Sequence, residues 1–178
     1  KYTAFGVVET RCDEEEVKRR RKQFHHSGYR TNWTEAERTG DKAKQCSGGA
    51  MLGTNFHSRV TVTDVAPNRG KQWVAAEAEI GGMKVAIIIA YMLSGEKFDH
   101  PDNVHRRSQI RAFLGTKQIP FCILADWNVP PQEVSSEWLQ DMRASIWTPR
   151  DTAFTCRMGR GRVMDYVVIS HTLAPLVE

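Results

Sequence analysis

Apolar positions along this chain recur in short runs with two different periods. Residues 73–80 alternate, with Val74, Ala76, Ala78 and Ile80 on one face and Glu77 and Glu79 on the other, which predicts a strand with one face buried. Residues 83–91 place Val85, Ile87 and Ile89 on one face and Ala86, Ile88 and Ala90 on the other. A strand apolar on both faces belongs in the centre of a layer. Gly81-Gly82 joins the two as a tight hairpin. Residues 121–125 are five apolar residues running into Asp126, with Pro130-Pro131 as a stop, again the pattern of a strand buried on both faces. Shorter strands are expected at 4–8, within 57–65 (through Val60, Val62 and Asp64), at 154–156 and at 163–170, and a new apolar segment opens at Gly48-Gly49.

Helical signals are fewer. Residues 13–24 carry acids in the first turn (Asp13 to Glu16) and bases afterwards (Lys18 to Lys22), which complements the helix dipole. The basic run reads either as a solvated helix face or as a nucleic-acid patch or nuclear address. A second helix is expected over 104–115, and a third over 131–145 with Pro near its first turn. Residues 27–47 and 94–103 read as polar surface loops, and 67–70 and 158–162 as turns. Hairpins mixed with three helices predict a layered α/β or α+β sandwich. No linker or repeat divides the chain, so one domain over residues 1–178 is expected.

Composition narrows the class without choosing a chemistry. A hydrophobic fraction of 40% with 26% charged residues fits an ordinary globule with a real core. A net charge of +4 suits a polyanionic partner but does not demand one. No stretch is long and apolar enough to span a bilayer, so no membrane partner is expected. Cys12, Cys46, Cys122 and Cys156 form no C-x-x-C pair, which leaves a zinc ribbon unsupported and points to free thiols in a reducing, intracellular compartment, the nucleus being one option. A monomer is expected.

Candidate chemistry sits where strands end. Asp126 and Asn128 are two residues apart, so in extended geometry they lean to one side and set a general base beside an amide donor. The same D-x-N pattern also describes an Asx turn. Glu9 follows the strand at 4–8, Tyr91 closes the strand at 83–91, and Asp165 lies inside the apolar run 163–170. In sequence alone, Tyr91 could equally be a rim aromatic with its hydroxyl in water. Asp165 could be a buried acid satisfied by Arg162 or by backbone amides.

Taken together, V-V-E-T, I-A-Y, L-A-D-W-N and M-D-Y-V-V-I-S resemble the motifs of the endonuclease/exonuclease/phosphatase superfamily, including apurinic-type and retroelement-type endonuclease domains. The resemblance covers essentially all 178 residues. It implies a deoxyribonuclease I-like fold, a four-layer α-β-β-α sandwich of two mixed sheets packed face to face with outer helices. Glu9 resembles the family's Q-E-T glutamate, a Mg²⁺ ligand, with Val8 where Gln is usual. Tyr91 resembles the tyrosine that contacts the scissile phosphate. Asp126 and Asn128 resemble the G-D-x-N pair, with Ala125 in place of Gly. Asp165 resembles the aspartate that orients a catalytic histidine, and Arg162 the basic residue of that motif, which implies a substrate contact.

The resemblance also implies an asparagine-bearing first strand and a final S-D-H strand, and neither has a counterpart here. The chain therefore reads as a domain incomplete at both ends, and His171, which follows Ser170, is not assigned to catalysis. The implied activity is Mg²⁺-dependent (or Mn²⁺-dependent) hydrolysis of nucleic acid phosphodiesters, DNA before RNA. Two alternatives stand beside it: a non-catalytic relative that binds nucleic acid, and a phosphatase of inositol phosphates or phospholipid head groups. The 178-residue chain by itself is expected to be nearly inactive, with Asp126→Ala changing nothing measurable.

Overall fold

The computed structural model describes residues 4–38, 46–58, 60–61, 72–80, 82–148, 155 and 162–176. It divides into two compact units, Lys1–Tyr91 and Met92–Glu178. The first contains β1 (Ala4–Val8), α1 (Glu14–His26), β2 (Tyr29–Thr34), β3 (Glu37–Arg38), β4 (Cys46–Ser47), β5 (Ala50–Asn55), β6 (Val60–Thr61), β7 (Trp73–Ile80) and β8 (Met83–Tyr91). β5 lies between β1 and β2, and β7 between β6 and β8. Each of these ladders is antiparallel, as is the small β3–β4 pair.

The two ladders of this unit enclose a core. Ala50 and Leu52 of β5 meet Val74, Ala76 and Ala78 of β7 and Ile89 of β8, with Ala4, Val8 and Ile87 against them. The face of β7 with the apolar alternation is thus the inward face. A fully buried side chain such as Leu52 contributes about 1.5–3 kcal/mol there. The opposite face of β1–β5–β2 is covered by α1, whose Phe24 ring lies 5.9 Å from Phe5 and 6.0 Å from Trp33. α1 starts where the Asp13 carboxylate accepts from the Glu16 amide at 3.0 Å, a standard N-cap.

The expectation of a surface loop over 27–47 fails here. Tyr29–Thr34 is a strand paired with β5 from Tyr29↔Asn55 to Thr34↔Ala50. Its polar residues concealed the pattern. Asn32 is buried, with its amide directed at the Ala75 carbonyl (3.5 Å), while Trp33 packs on Phe24. Residues 39–45 lie outside the described residues, as do most of the strand expected at 57–65, the turn at 67–70, Gly81, and most of 154–161.

The second unit holds α2 (Pro101–Lys117), β9 (Phe121–Asp126), a 3-10 turn at Pro131–Glu133, α3 (Ser136–Asp141), β10 (Ala144–Trp147), β11 (Asp165–Ser170) and a 3-10 turn at Ala174–Leu176. β11 lies between β10 and β9, antiparallel to both. α2 begins three residues earlier than its apolar stripe suggests, because Pro101 occupies the first turn and the His100 ring accepts from the Asp102 amide at 3.4 Å.

The single helix expected over 131–145 is also corrected. Val134 is extended, and the Ser135 hydroxyl accepts from the Trp138 amide at 3.2 Å, capping a shorter helix. Arg143 then turns left-handed (φ 48°), and residues 144–147 become a strand that pairs with β11. β9 is fully buried on one face only: Phe121, Ile123 and Ala125 are inside, whereas on the other face Cys122 is half-buried and Leu124 is exposed. No helix among the described residues is long and apolar enough to cross a membrane.

Candidate active site

In the first unit the chain leaves β1 through two left-handed residues, Glu9 (φ 51°) and Arg11 (φ 50°). Such conformations cost non-glycine residues about 1–2 kcal/mol each and need support from their surroundings. The support comes from Gly48 and Gly49, whose carbonyls accept from Arg11 N (3.0 Å) and Thr10 N (3.3 Å). Gly48 and Gly49 have φ of 77° and 83°, which only glycine adopts at no steric cost. They are fixed in turn by Gln72, whose Oε1 accepts from Gly49 N at 2.6 Å and whose carbonyl accepts from Tyr91 N at 2.8 Å. The result is that the Tyr91 hydroxyl donates to the Glu9 carboxylate at 3.0 Å. Tyr91 is buried rather than a wet rim aromatic. Arg11 stands 3.7 Å from the other Glu9 oxygen.

In the second unit, Asp126 at the end of β9 is the register partner of Asp165 at the start of β11. Asp126–Asn128 is not extended. Asn128 is left-handed (φ 53°), and its backbone N–H donates to Asp126 Oδ1 at 3.1 Å. This is the Asx turn, and it overturns the expectation that the two side chains lean one way along a strand. Asn128 Nδ2 donates to the Met92 carbonyl at 2.9 Å, and Met92 N donates to the Asp126 carbonyl at 2.9 Å. One N–H of the Asn128 amide is therefore committed to the backbone, and a primary amide has two. Trp127 anchors the turn from below: it is 1% exposed, its Nε1 donates to the Tyr166 carbonyl at 3.1 Å, and its ring stacks on Tyr166.

Asp165 is exposed, which removes the alternative of a buried acid satisfied by Arg162 or backbone amides. Its backbone N–H, with that of Met164, donates to the Thr155 hydroxyl. Arg162 is exposed and lines a surface groove of about 540 Å³ with Pro130, Gln132 and Ile146. His171 is exposed past the end of β11, its N–H bonded to the Arg143 carbonyl. Burial pushes the Cys122 thiol up to about 11, which removes it as a nucleophile near neutrality. Burial also raises the Tyr166 phenol, whose hydroxyl donates to the Val129 carbonyl at 3.1 Å.

Glu9–Tyr91 and Asp126–Asn128–Asp165 thus form two groups, one in each unit, each built as a cluster. Glu9 can take part in holding a divalent cation: its side chain is 38% exposed, and a single carboxylate that leaves room for water suits Mg²⁺. Among the described residues no group of three or more His, Cys, Asp or Glu is arranged as a metal cage. Gln72 and Trp127 are the positioning residues that the sequence reading missed. Trp127 sits inside the motif itself, while Gln72 carries no signal beyond a polar residue at the head of an apolar strand.

The fold is the deoxyribonuclease I-like α+β fold of the endonuclease/exonuclease/phosphatase proteins. No family model matches the sequence, and no curated protein matches it either. Among solved structures, the human Nocturnin catalytic domain is similar at a TM-score of 0.62 and 12% identity, covering 95% of this chain and 69% of that one. The endonuclease domain of TRAS1, a telomere-specific non-LTR retrotransposon, gives 0.57 at 12% identity, covering 85% and 71%. A Neisseria 3′ phosphatase bound to a product DNA hairpin gives 0.54 at 14% identity, covering 97% and 78%.

Proposed function

We propose that this chain is the core of a phosphoesterase that hydrolyses nucleic acid phosphodiesters with the help of Mg²⁺ or Mn²⁺, DNA ahead of RNA. The observation that carries the reading is the 3.0 Å hydrogen bond between Tyr91 and Glu9. It joins two strand ends 82 residues apart that separate motifs nominate for one phosphate chemistry. The shared fold with nucleases and phosphatases supports it.

A cation held by Glu9 would supply Lewis-acid polarisation of a phosphoryl oxygen. The chain's own residues then do the following. Asp126, oriented by the Asn128 N–H, accepts a proton from the attacking water or aligns it. In the second unit the other N–H of the Asn128 amide can donate to a phosphate oxygen, and in the first the Tyr91 hydroxyl can turn from Glu9 to a phosphate oxygen. Asp165, the register partner of Asp126 in the ladder, would hold an imidazole in one tautomer. Arg162 offers a cation to the substrate backbone from the groove.

The test measures hydrolysis of DNA, RNA and inositol phosphates, with Mg²⁺ and with EDTA, on the chain and on the gene product that contains it. Cleavage of DNA that EDTA abolishes is expected in the gene product. There Asp126→Asn lowers the rate by about 10²–10⁴, and Asn128→Ala by about 10²–10³. Cleavage indifferent to EDTA sinks the proposal. Binding without cleavage selects the non-catalytic relative, and turnover of inositol phosphates alone selects the phosphatase.

A further inference from the structure

α1 carries a second cluster that the Glu9 and Asp126 groups leave unused. Lys18, Arg21, Lys22, His25 and His26 stand at i, i+3, i+4, i+7 and i+8, the spacing that places side chains on one helix face. In most helices that spacing is apolar and faces the core. Here it is exposed and carries three cations, Lys18, Arg21 and Lys22, with two imidazoles, while Val17 and Phe24 supply the buried side. The five residues line a shallow pocket of about 370 Å³.

The helix separates its charges. Glu16 pairs with Arg19 and Arg20, away from this face, and the acids near the face gather at its N-terminal end, where Glu14 pairs with Lys18 at 2.6 Å and Glu15 and Glu35 add to the field on that ammonium. Arg21 and Lys22 have no acidic partner among the described residues. Planar groups continue the surface: the His25 ring lies 5.0 Å from Phe56, and the Arg30 guanidinium lies over Phe56 at 5.7 Å.

We propose that this face of α1, with Arg30 and Phe56 beside it, docks the sugar–phosphate backbone of a nucleic acid strand at a place separate from the Glu9 turn. The choice of partner rests on the phosphoesterase reading above. At 1.5 Å per residue the stripe from Lys18 to His26 is about 12 Å long and starts about 8 Å beyond the Asp13 cap, so it would hold a flank of the strand. Cations spaced along a rigid helix match a line of phosphates, and exposed rings and guanidinium planes match bases. An anionic bilayer fits less well, since a helix that lies in a lipid surface carries a large apolar face beside its cations, and none of the exposed large apolar side chains is on α1.

The test is fluorescence anisotropy of a labelled oligonucleotide, single-stranded and duplex, in EDTA, as salt rises from about 50 to 200 mM. Arg21→Gln/Lys22→Gln is expected to weaken binding about tenfold at low salt and to reduce the salt slope by about 1.4–1.8, the loss of two phosphate contacts. Arg19→Gln/Arg20→Gln, on the residues paired with Glu16, removes the same formal charge and is expected to change the slope far less. Unchanged binding in the first variant, or equal changes in both, overturns the proposal. So does loss of phosphatidylserine vesicle binding in the first variant when no oligonucleotide binds. A chain that binds in this way and never hydrolyses keeps the docking face and sinks the enzymatic reading alone.

Discussion

Gln72 is 2% exposed, and its two hydrogen bonds, from Gly49 N and from Tyr91 N, tie together the two backbones that present Glu9 and Tyr91. The glycine pair passes the constraint on through its carbonyls to Thr10 and Arg11. Gln72→Leu keeps the volume and removes the acceptor, stranding a buried N–H at a cost of about 1–3 kcal/mol. Denaturant unfolding should show that loss. Gly48→Ala should cost at least as much, because its Cβ would lie 2.0 Å from Gln72 Oε1 on a residue with φ of 77°. A Gln72→Leu protein as stable as the wild type would show that the glycine pair is held by something else.

At the scale of elements, α2 organises the loop before it. Asn103 is 1% exposed, accepts from Leu93 N at 2.7 Å and donates to the Lys97 carbonyl at 3.1 Å. One turn on, Arg107 donates to the Phe98 carbonyl at 2.9 Å and lays its guanidinium 3.5 Å from the Phe98 ring centroid. Two side chains of one helix face thereby fix residues 93–98 from the inside. Asn103→Ala breaks two bonds at once and is expected to destabilise by about 1–3 kcal/mol. Hydrogen exchange should show lost protection at Leu93 before any at β7, since a local opening needs less than the global free energy.

The elements legible in the sequence were those with a clean period. β7 and β8 kept their boundaries because their alternation is unbroken, and α1 was found because its cap and charges agree, although it runs on to His26 rather than ending at Phe24. β2 was not legible because its inward residue is Asn32, a polar group whose partner is supplied by another strand. β10 was missed because helix formers run through 136–142 and only the Ser135 cap and left-handed Arg143 mark where the helix starts and stops. The site was legible as strand ends, and the D-x-N spacing already allowed the Asx turn, whose bond spans only two residues; the Gln72 clamp was illegible because its partners, Gly49 and Tyr91, are distant in sequence.

For the whole molecule, the question is whether a cation is part of the fold or only of the chemistry. A structural metal sits in a cage of several ligands, and its removal unfolds the protein. The described residues contain no such cage, and Glu9, the proposed ligand, is exposed at 38% and already bonded to Tyr91. A cation shared between one carboxylate, water and a substrate phosphate stabilises the free protein only by mass action, about 0.4 kcal/mol when its concentration equals its dissociation constant. In a chain of this size 1 kcal/mol moves the melting temperature by about 2–4 °C. Adding EDTA should therefore stop hydrolysis in the gene product while lowering the melting temperature of the substrate-free chain by less than about 2 °C. The first is read by an activity assay on the gene product and the second by a thermal scan of the chain. A fall of 10 °C or more (about 3–5 kcal/mol by the same scaling) would reverse the assignment, making the cation a structural component held by residues other than Glu9.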